Sequence, residues 1–255
     1  LAQYELTLLD WIEANKGTAQ YVVMANKCWP AFQTEFGFVP CYVNSRLTAQ
    51  GICTACEVDI YGALSEYIGT CLTGECVTLL DINNTVPADL YAADIAGRFP
   101  YRLNETFMGF HCGNTPMCRL TKGTMKYQLI MNRGLENGGE PDITRGTLEG
   151  DIAPSEITFY RLQGNKDSQL QAYVAEGEVL PVACHSFGGI GVFAIPEMNR
   201  FYRHVLIEGG YPHHGAVAFK HTGKAFFALM KLLGVEKVQF NQPAGMLYKS
   251  ENPFA

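Results

Sequence analysis

Apolar residues recur at helical spacing at the start of the chain, where Leu6, Leu9 and Ile12, with Trp11 beside them, fall on one face. The pattern predicts a helix over 1–16, closed by Lys16-Gly17, a cation followed by a C-cap glycine. A second helix is predicted from Thr18 to Glu35, with Tyr21, Val22, Met24, Ala25, Cys28, Trp29 and Phe32 on one broad face; Pro30 kinks or breaks it and Gly37 ends it. Residues 38–43 are β-prone, and Asn44 to Thr48 begin a short helix or loop. Ile52 to Val58 reads as a short strand leading to Glu57. Asp59 is placed to N-cap a helix from Ile60 to Leu72, and Gly74 follows its end. Residues 76–81, CVTLLD, form a short apolar run of the kind found in a buried parallel strand, ending at Asp81. Strand, helix and strand together predict a βαβ unit.

Beyond about residue 86 helical periodicity fades and short β-prone runs alternate with Gly, Pro and Asn. Turns are expected near 108–113, and strands at 127–131, 156–162, 171–178 and 191–196. A last βα unit is expected from a strand at 213–219, a helix from Thr222 to Leu233 and a strand at 235–240. The predicted fold class is therefore α/β. A parallel βαβ (Rossmann-like) partial domain is followed by a β-rich, antiparallel, barrel-like C-terminal domain with helices, the boundary lying near 85–105.

Composition narrows the function classes. Hydrophobic residues make up 47% and charged residues 17% of the 255, a well-buried globular balance. The net charge of −6 and the scattered placement of 19 basic residues argue against a nucleic-acid surface, which needs clustered cations to neutralise phosphates. No apolar run reaches the roughly 18–20 residues of a membrane span. The first residues lack a Met, a basic region and a small-residue cleavage site, so no signal peptide is expected there; the chain opens inside an amphipathic helix, as a segment of a longer protein would. Nine cysteines, an odd number at irregular spacing, argue against a disulfide framework, and the cytoplasm is the expected compartment.

Two carboxylates at the tips of neighbouring strands, Glu57 and Asp81, raise each other's pKa unless a cation or a shared proton compensates. A divalent metal does so, and oxygen ligands with one imidazole suit Mn²⁺ or Mg²⁺. The alternative is a helix cap and a loop-end charge. His213-His214-Gly215 offers the imidazole; adjacent strand residues point to opposite faces, so at most one of the pair is expected to face a given site. A hydrogen-bonded core histidine is the alternative there. His221 lies at the mouth of the next helix. Cys53-x-x-Cys56 admits a redox reading, which requires both thiols exposed with a depressed pKa, or a reading as small buried residues; Cys71 and Cys76 do not complete a zinc site with them. In His111-Cys112-Gly113-Asn114 a nucleophilic dyad is not expected between strand neighbours, whereas His111 and Asn114 on a turn could touch a polar substrate. Gly188-Gly189-Ile190-Gly191 has no helix after it and reads as a tight turn rather than a phosphate cradle.

Three runs carry a resemblance: FGFVPCYVNSRLTAQGICTACEVDIYGALSEYIG, VTLLDINN and YPHHGAVAFKHTGKAFFALMKLLG. Together they resemble the L-fucose isomerase family, within the wider set that includes L-arabinose isomerases. The likeness is strongest at 36–85 and 205–233, and only general over 120–200. It implies that residues 1–90 are the second half of an α/β sugar-isomerase domain and 91–255 a C-terminal β-rich isomerase domain. It implies a divalent metal, typically Mn²⁺, held by Glu57, Asp81 and His214, with His213 as the fallback ligand, and Glu57 and Asp81 as proton carriers in an aldose–ketose isomerisation through an ene-diol. Asn26, Lys27 and Trp29 lie where the family places substrate-facing groups, and His221-Thr222-Gly223 matches its His-x-Gly step. A sugar substrate and a homo-oligomer, trimer or hexamer, are implied as well. Members of the family are longer at the N-terminus than this chain. The alternative function is a catalytically silent sugar-binding or structural module that keeps the isomerase fold.

Overall fold

The structure is a computed structural model, and it describes residues 1–28, 31–128, 138 and 144–254. Helix α1 (Ala2–Asn15) ends at Lys16, with Gly17 left-handed at φ 56°. Its inner stripe is the half-buried Tyr4, Leu8, Leu9 and Ile12, packed against Met24, Val43 and Leu47, while Leu6 and Trp11 face outward.

No helix forms over 18–28. That segment is extended and contributes strand β1 (Met24–Ala25), which pairs in parallel with β2 (Thr54–Ala55). The β-branched pair Val22-Val23 disfavours a helix there. After Trp29 and Pro30, which lie outside the described residues, a single π-turn spans Phe32–Phe36 and stops at Gly37, left-handed at φ 66°. The β-prone stretch 38–43 is also corrected. Helix α2 (Cys41–Ala49) starts directly after Pro40 and buries Val43 and Leu47 one turn apart. Helix α3 (Ile60–Thr73) is bounded as expected, by Asp59 accepting from Gly62 N and by a left-handed Gly74.

Strand β3 (Thr78–Thr85) is not the parallel partner of β2. It lies in a separate sheet, nine-stranded among the described residues, and pairs antiparallel on both sides, with β10 (His214–Ala218) and with β4 (Thr106–His111). The expected parallel βαβ unit is therefore absent from this part of the chain: α3 connects two different sheets. The turns expected near 108–113 give way to β4, which runs unbroken to His111.

The remaining strands are β5 (Thr124–Gln128), β6 (Thr144–Asp151), β7 (Ser155–Gly164), β8 (Leu170–Leu180), β9 (Gly189–Ala194) and β11 (Lys237–Phe240). The strand expected at 127–131 is described only as far as Gln128. The sheet order is β11-β8-β7-β10-β3-β4-β9-β6-β5, and three residues at the end of β8 also pair with β9. The sheet is mixed rather than an antiparallel barrel, because β11–β8 and β6–β9 are parallel pairs.

Strand periodicity sorts β7 cleanly between two cores. Ile157 and Phe159 join Tyr173, Phe193 and Phe201 on one face; Tyr160 and Leu162 join Ile68, Phe226 and Met230 beneath α3 and α6 (Gly223–Leu232) on the other. Burying an aromatic side chain of this size contributes roughly 2–3 kcal/mol. Arg161 shares the face of Ile157 and Phe159 yet carries a charge. Its partners define the site.

Candidate metal and proton-transfer site

Three antiparallel neighbours bring the site together. Register pairs His214, the first residue of β10, with Asp81 on β3, and Asp81 with Phe110 on β4. His111, the last residue of β4, follows directly. Side chains on facing residues of adjacent strands stand close enough to interact. His214 Nε2 lies 3.1 Å from Asp81 Oδ1 and 3.7 Å from Glu57 Oε2. His213 Nε2 approaches the same Asp81 oxygen at 3.9 Å. The expectation that adjacent histidines must diverge fails here, because His213 precedes the strand. Their rings meet edge-on with centroids 4.5 Å apart.

Glu57 comes from a different element. It follows β2 in a turn where Glu57 and Val58 are both left-handed, at φ 61° and 60°. Two consecutive non-glycine residues in this region cost on the order of 1–3 kcal/mol each, and such strain concentrates at functional positions. The turn is held by Val58 N donating to Asn26 O at 3.1 Å and Asp59 N to Cys56 O at 3.1 Å. The Glu57 side chain is 48% exposed, whereas that of His214 is 7% exposed.

Behind His214 stands a carboxylate that the sequence marked only as a helix cap. Asp59 Oδ2 lies 2.9 Å from His214 Nδ1, and Arg161 grips both Asp59 oxygens at 2.8 Å. Asp59 also accepts from Gly62 N at 2.8 Å. One carboxylate thus caps α3, orients the imidazole and neutralises a buried guanidinium. Arg161 escaped the sequence reading; its signal was a charge on the buried face of an apolar strand.

Electrostatics follow from this packing. Burial alone would raise the Asp59 carboxyl, but His214 and Arg161 hold it well below the usual carboxylate range. Burial likewise opposes the Asp81 charge, and the surrounding histidines overcome it, so its pKa falls. Burial would lower His214, yet Asp59 and Asp81 push it up to about 9. His111 is buried, and contact with Cys112 outweighs that burial to raise it to about 10. Cys112 Sγ lies 3.9 Å from His111 Nδ1, a contact not expected of strand neighbours and permitted because β4 ends at His111. The two rings His111 and His214 have centroids 6.1 Å apart.

The donor set fits a divalent cation. Asp81, His213 and His214 each present a ligand atom, all within 4.8 Å of one another. Asp81 Oδ1 and His214 Nε2 are buried and make no hydrogen bond among the described residues, although they face each other. A cation between them would take the place of the His214 Nε2 proton, since a ligating imidazole must give that proton up. Carboxylate oxygen with imidazole nitrogen favours Mn²⁺ or a similar ion over a thiolate-seeking one.

The other candidates divide. Asn26 borders the site: its backbone holds Val58, and its amide donates to Asn44 Oδ1 at 2.7 Å. Lys27 is exposed next to it. Trp29 lies outside the described residues. Asn114 is fully buried, and both polar atoms of its side chain are without a hydrogen bond among the described residues. His221 is not brought to the site; it follows the far end of β10, where Nε2 meets Gly177 O at 3.1 Å. Cys53 and Cys56 are fully buried, and burial pushes Cys53 up to about 12, which removes the redox reading. Gly188 is left-handed at φ 78°, and a Cβ there would come within 2.6 Å of His111 O, so this glycine lets the β9 turn close against the site.

Comparison with known proteins places these residues in context. The chain is similar to a sulfoquinovose isomerase of Clostridium sp. (strain MSTE9), 28% identical over 230 residues that cover 89% of this chain and 45% of that protein. It is similar to a sulfoquinovose isomerase of Alkalicoccus urumqiensis at 24% identity over 247 residues, 93% of this chain and 48% of the relative. A sulfoquinovose isomerase of Priestia aryabhattai matches at 25% identity over 217 residues, 84% of this chain and 43% of the relative. The chain therefore spans about half the length of the relatives it matches. The family model of the L-fucose isomerase C-terminal domain matches residues 109–241, a span that takes in His111, Arg161, His213 and His214 and leaves Glu57, Asp59 and Asp81 before it. With more than half of its residues inside that match, the chain belongs to the family described by the L-fucose isomerase C-terminal domain.

Proposed function

We propose that this chain carries the metal and proton-transfer centre of an aldose–ketose isomerase acting on an open-chain sugar. The observation that carries the reading is the convergence of Asp81, His213 and His214 on one point, with Glu57 at its open side. When bound, a divalent cation such as Mn²⁺ supplies Lewis-acid polarisation of the sugar carbonyl. The protein's own residues do the rest. Glu57, the exposed carboxylate on a strained turn, takes the proton from C2 of the sugar. Asp81, half-buried and held anionic, assists its return at C1, which completes the exchange through an ene-diol. Positioned acid–base groups of this kind contribute on the order of 10²–10⁴-fold each. Asp59 and Arg161 keep His214 in one tautomer and one orientation.

The relatives' names favour a sulfonated hexose as one substrate to test, beside L-fucose, L-arabinose and D-arabinose. A cytoplasmic homo-oligomer, trimer or hexamer, in which residues 1–90 complete an α/β domain and 91–255 form the β-rich one, is part of the same reading. The rival is a silent sugar-binding or structural module.

The deciding experiment is Mn²⁺ calorimetry on the wild type and on Glu57→Gln/Asp81→Asn, followed by ketose formation from each sugar. Binding lost in the double variant together with turnover in the wild type supports the isomerase. Sugar binding without metal binding in either protein favours the module.

A further inference from the structure

Two thiols outside the candidate site stand almost in bonding contact. Cys76 Sγ and Cys118 Sγ are 3.0 Å apart and 42 residues apart in sequence. A disulfide has an S–S length of about 2.05 Å, so the gap to close is about 1 Å. Both sulfurs sit where the backbone can supply that movement. Cys76 lies in the short link between Gly74, which caps α3, and Thr78, where β3 begins. Cys118 is the middle residue of a single 3₁₀ turn, Met117–Arg119. Cys118 is exposed and Cys76 half-buried, so a small oxidant reaches them, whereas Cys28, Cys41, Cys53, Cys56 and Cys184 are buried.

The surroundings suit exchange chemistry. The Arg119 guanidinium, on the residue after Cys118, is held by Glu75, the residue before Cys76, and lies 4.7 Å from the Phe219 ring centroid. A fixed cation beside a sulfur is the partner that sulfur needs when it attacks as the thiolate.

We propose that Cys76 and Cys118 form a redox-sensitive dithiol that closes to a disulfide by exchange with a low-molecular-weight disulfide. Cys76, as the thiolate, attacks one sulfur of the oxidant and releases the other as a thiol, leaving a mixed disulfide on Cys76. The Cys118 sulfur then attacks the Cys76 sulfur and expels the second thiol. The protein pair loses two electrons and two protons, and the oxidant becomes two thiols, so the exchange balances. The bond fastens the entry to β3, which carries Asp81, to the turn after β4, which carries Asn114. That turn is already anchored to α2 by Met117 N donating to Ser45 Oγ at 2.9 Å. The proposal is independent of the isomerase reading.

The test equilibrates the full chain in glutathione buffers of increasing oxidised fraction, with peptide mapping by mass spectrometry before and after dithiothreitol. The expected result is a reducible crosslink between Cys76 and Cys118 and a melting temperature raised by several degrees, as closing a loop of this length restricts the unfolded chain. Cys76→Ser and Cys118→Ser should each abolish the crosslink while keeping the melting temperature of the reduced wild type. Glutathione adducts on both cysteines without their crosslink would overturn the proposal. So would pairing of either with Cys71, or no reaction in the most oxidising buffer.

Discussion

His214 Nδ1 is held 2.9 Å from Asp59 Oδ2, and the same carboxylate is clasped by the buried Arg161. The inward nitrogen of the imidazole is thereby committed, and Nε2 is left to face Asp81. Removing the acceptor frees the ring. Asp59→Asn is expected to lower Mn²⁺ affinity by roughly 10–100-fold, the usual cost of losing a carboxylate behind a ligating histidine. Calorimetry checks this, with circular dichroism to confirm the fold; unchanged affinity would show that the contact does not orient the ligand.

Arg161 tests the same relationship from the other side. Its side chain is 4% exposed and that of Asp59 11% exposed. Arg161→Met removes one partner of a buried ion pair and leaves the other charge, an operation that costs about 3–5 kcal/mol. Urea unfolding should show this loss, and a change below about 1 kcal/mol would mean that the pair behaves as a surface salt bridge.

Glu57 carries the chemistry in the proposed reaction and little of the packing. Glu57→Gln should abolish isomerisation, with a loss of at least about 10²-fold, and leave thermal stability near that of the wild type because the side chain is half exposed. Wild-type turnover in this variant would end the acid–base assignment.

Glu66 predicts a pH effect. It is fully buried on α3, and neither carboxyl oxygen has a hydrogen bond among the described residues. Burial pushes its pKa from 4.5 up to about 8. The folded protein therefore holds this proton between those values while the unfolded chain releases it. The contribution of this one group is full below about pH 4.5, declines as pH rises, and is lost once pH passes the folded pKa of about 8. Glu66→Gln removes the titration. Its melting temperature should match the wild type near pH 5 and exceed it near pH 8.5, the difference corresponding to a few kcal/mol. Parallel melting curves at both pH values would contradict the buried acid.

The candidate site was legible in part. Glu57 and Asp81 stand out as carboxylates at the ends of short apolar runs, and His213-His214 as a pair between glycines; the structure places ligand atoms of Asp81, His213 and His214 within 4.8 Å of one another, and Glu57 outside that group at 3.7 Å from His214. Asp59 was legible as a cap, since that role depends on the three residues after it. Its second role depends on Arg161, 102 residues further on, and no local pattern links the two. His221 illustrates the converse. Seven residues along an extended segment reach roughly 23 Å, so closeness to His214 in sequence carries it away from the site.

Neighbouring residues alone settle α1, α3 and α6, through periodicity and end signals, and β7 to β10, through apolar runs between turn residues. Partnership was decided only in three dimensions. β2 and β3 flank one helix and look like a parallel pair, yet β3 finds antiparallel partners in β4 and β10. Likewise 18–28 has a helix-like apolar stripe, but Met24 and Ala25 are taken by pairing with Thr54 and Ala55. A strand's hydrogen bonds are satisfied by whichever edge the rest of the chain presents, and that edge lies outside any window along the sequence. The same holds for the site: Asp81 and His214 meet because β3 and β10 align in register, a property of the sheet and not of either segment.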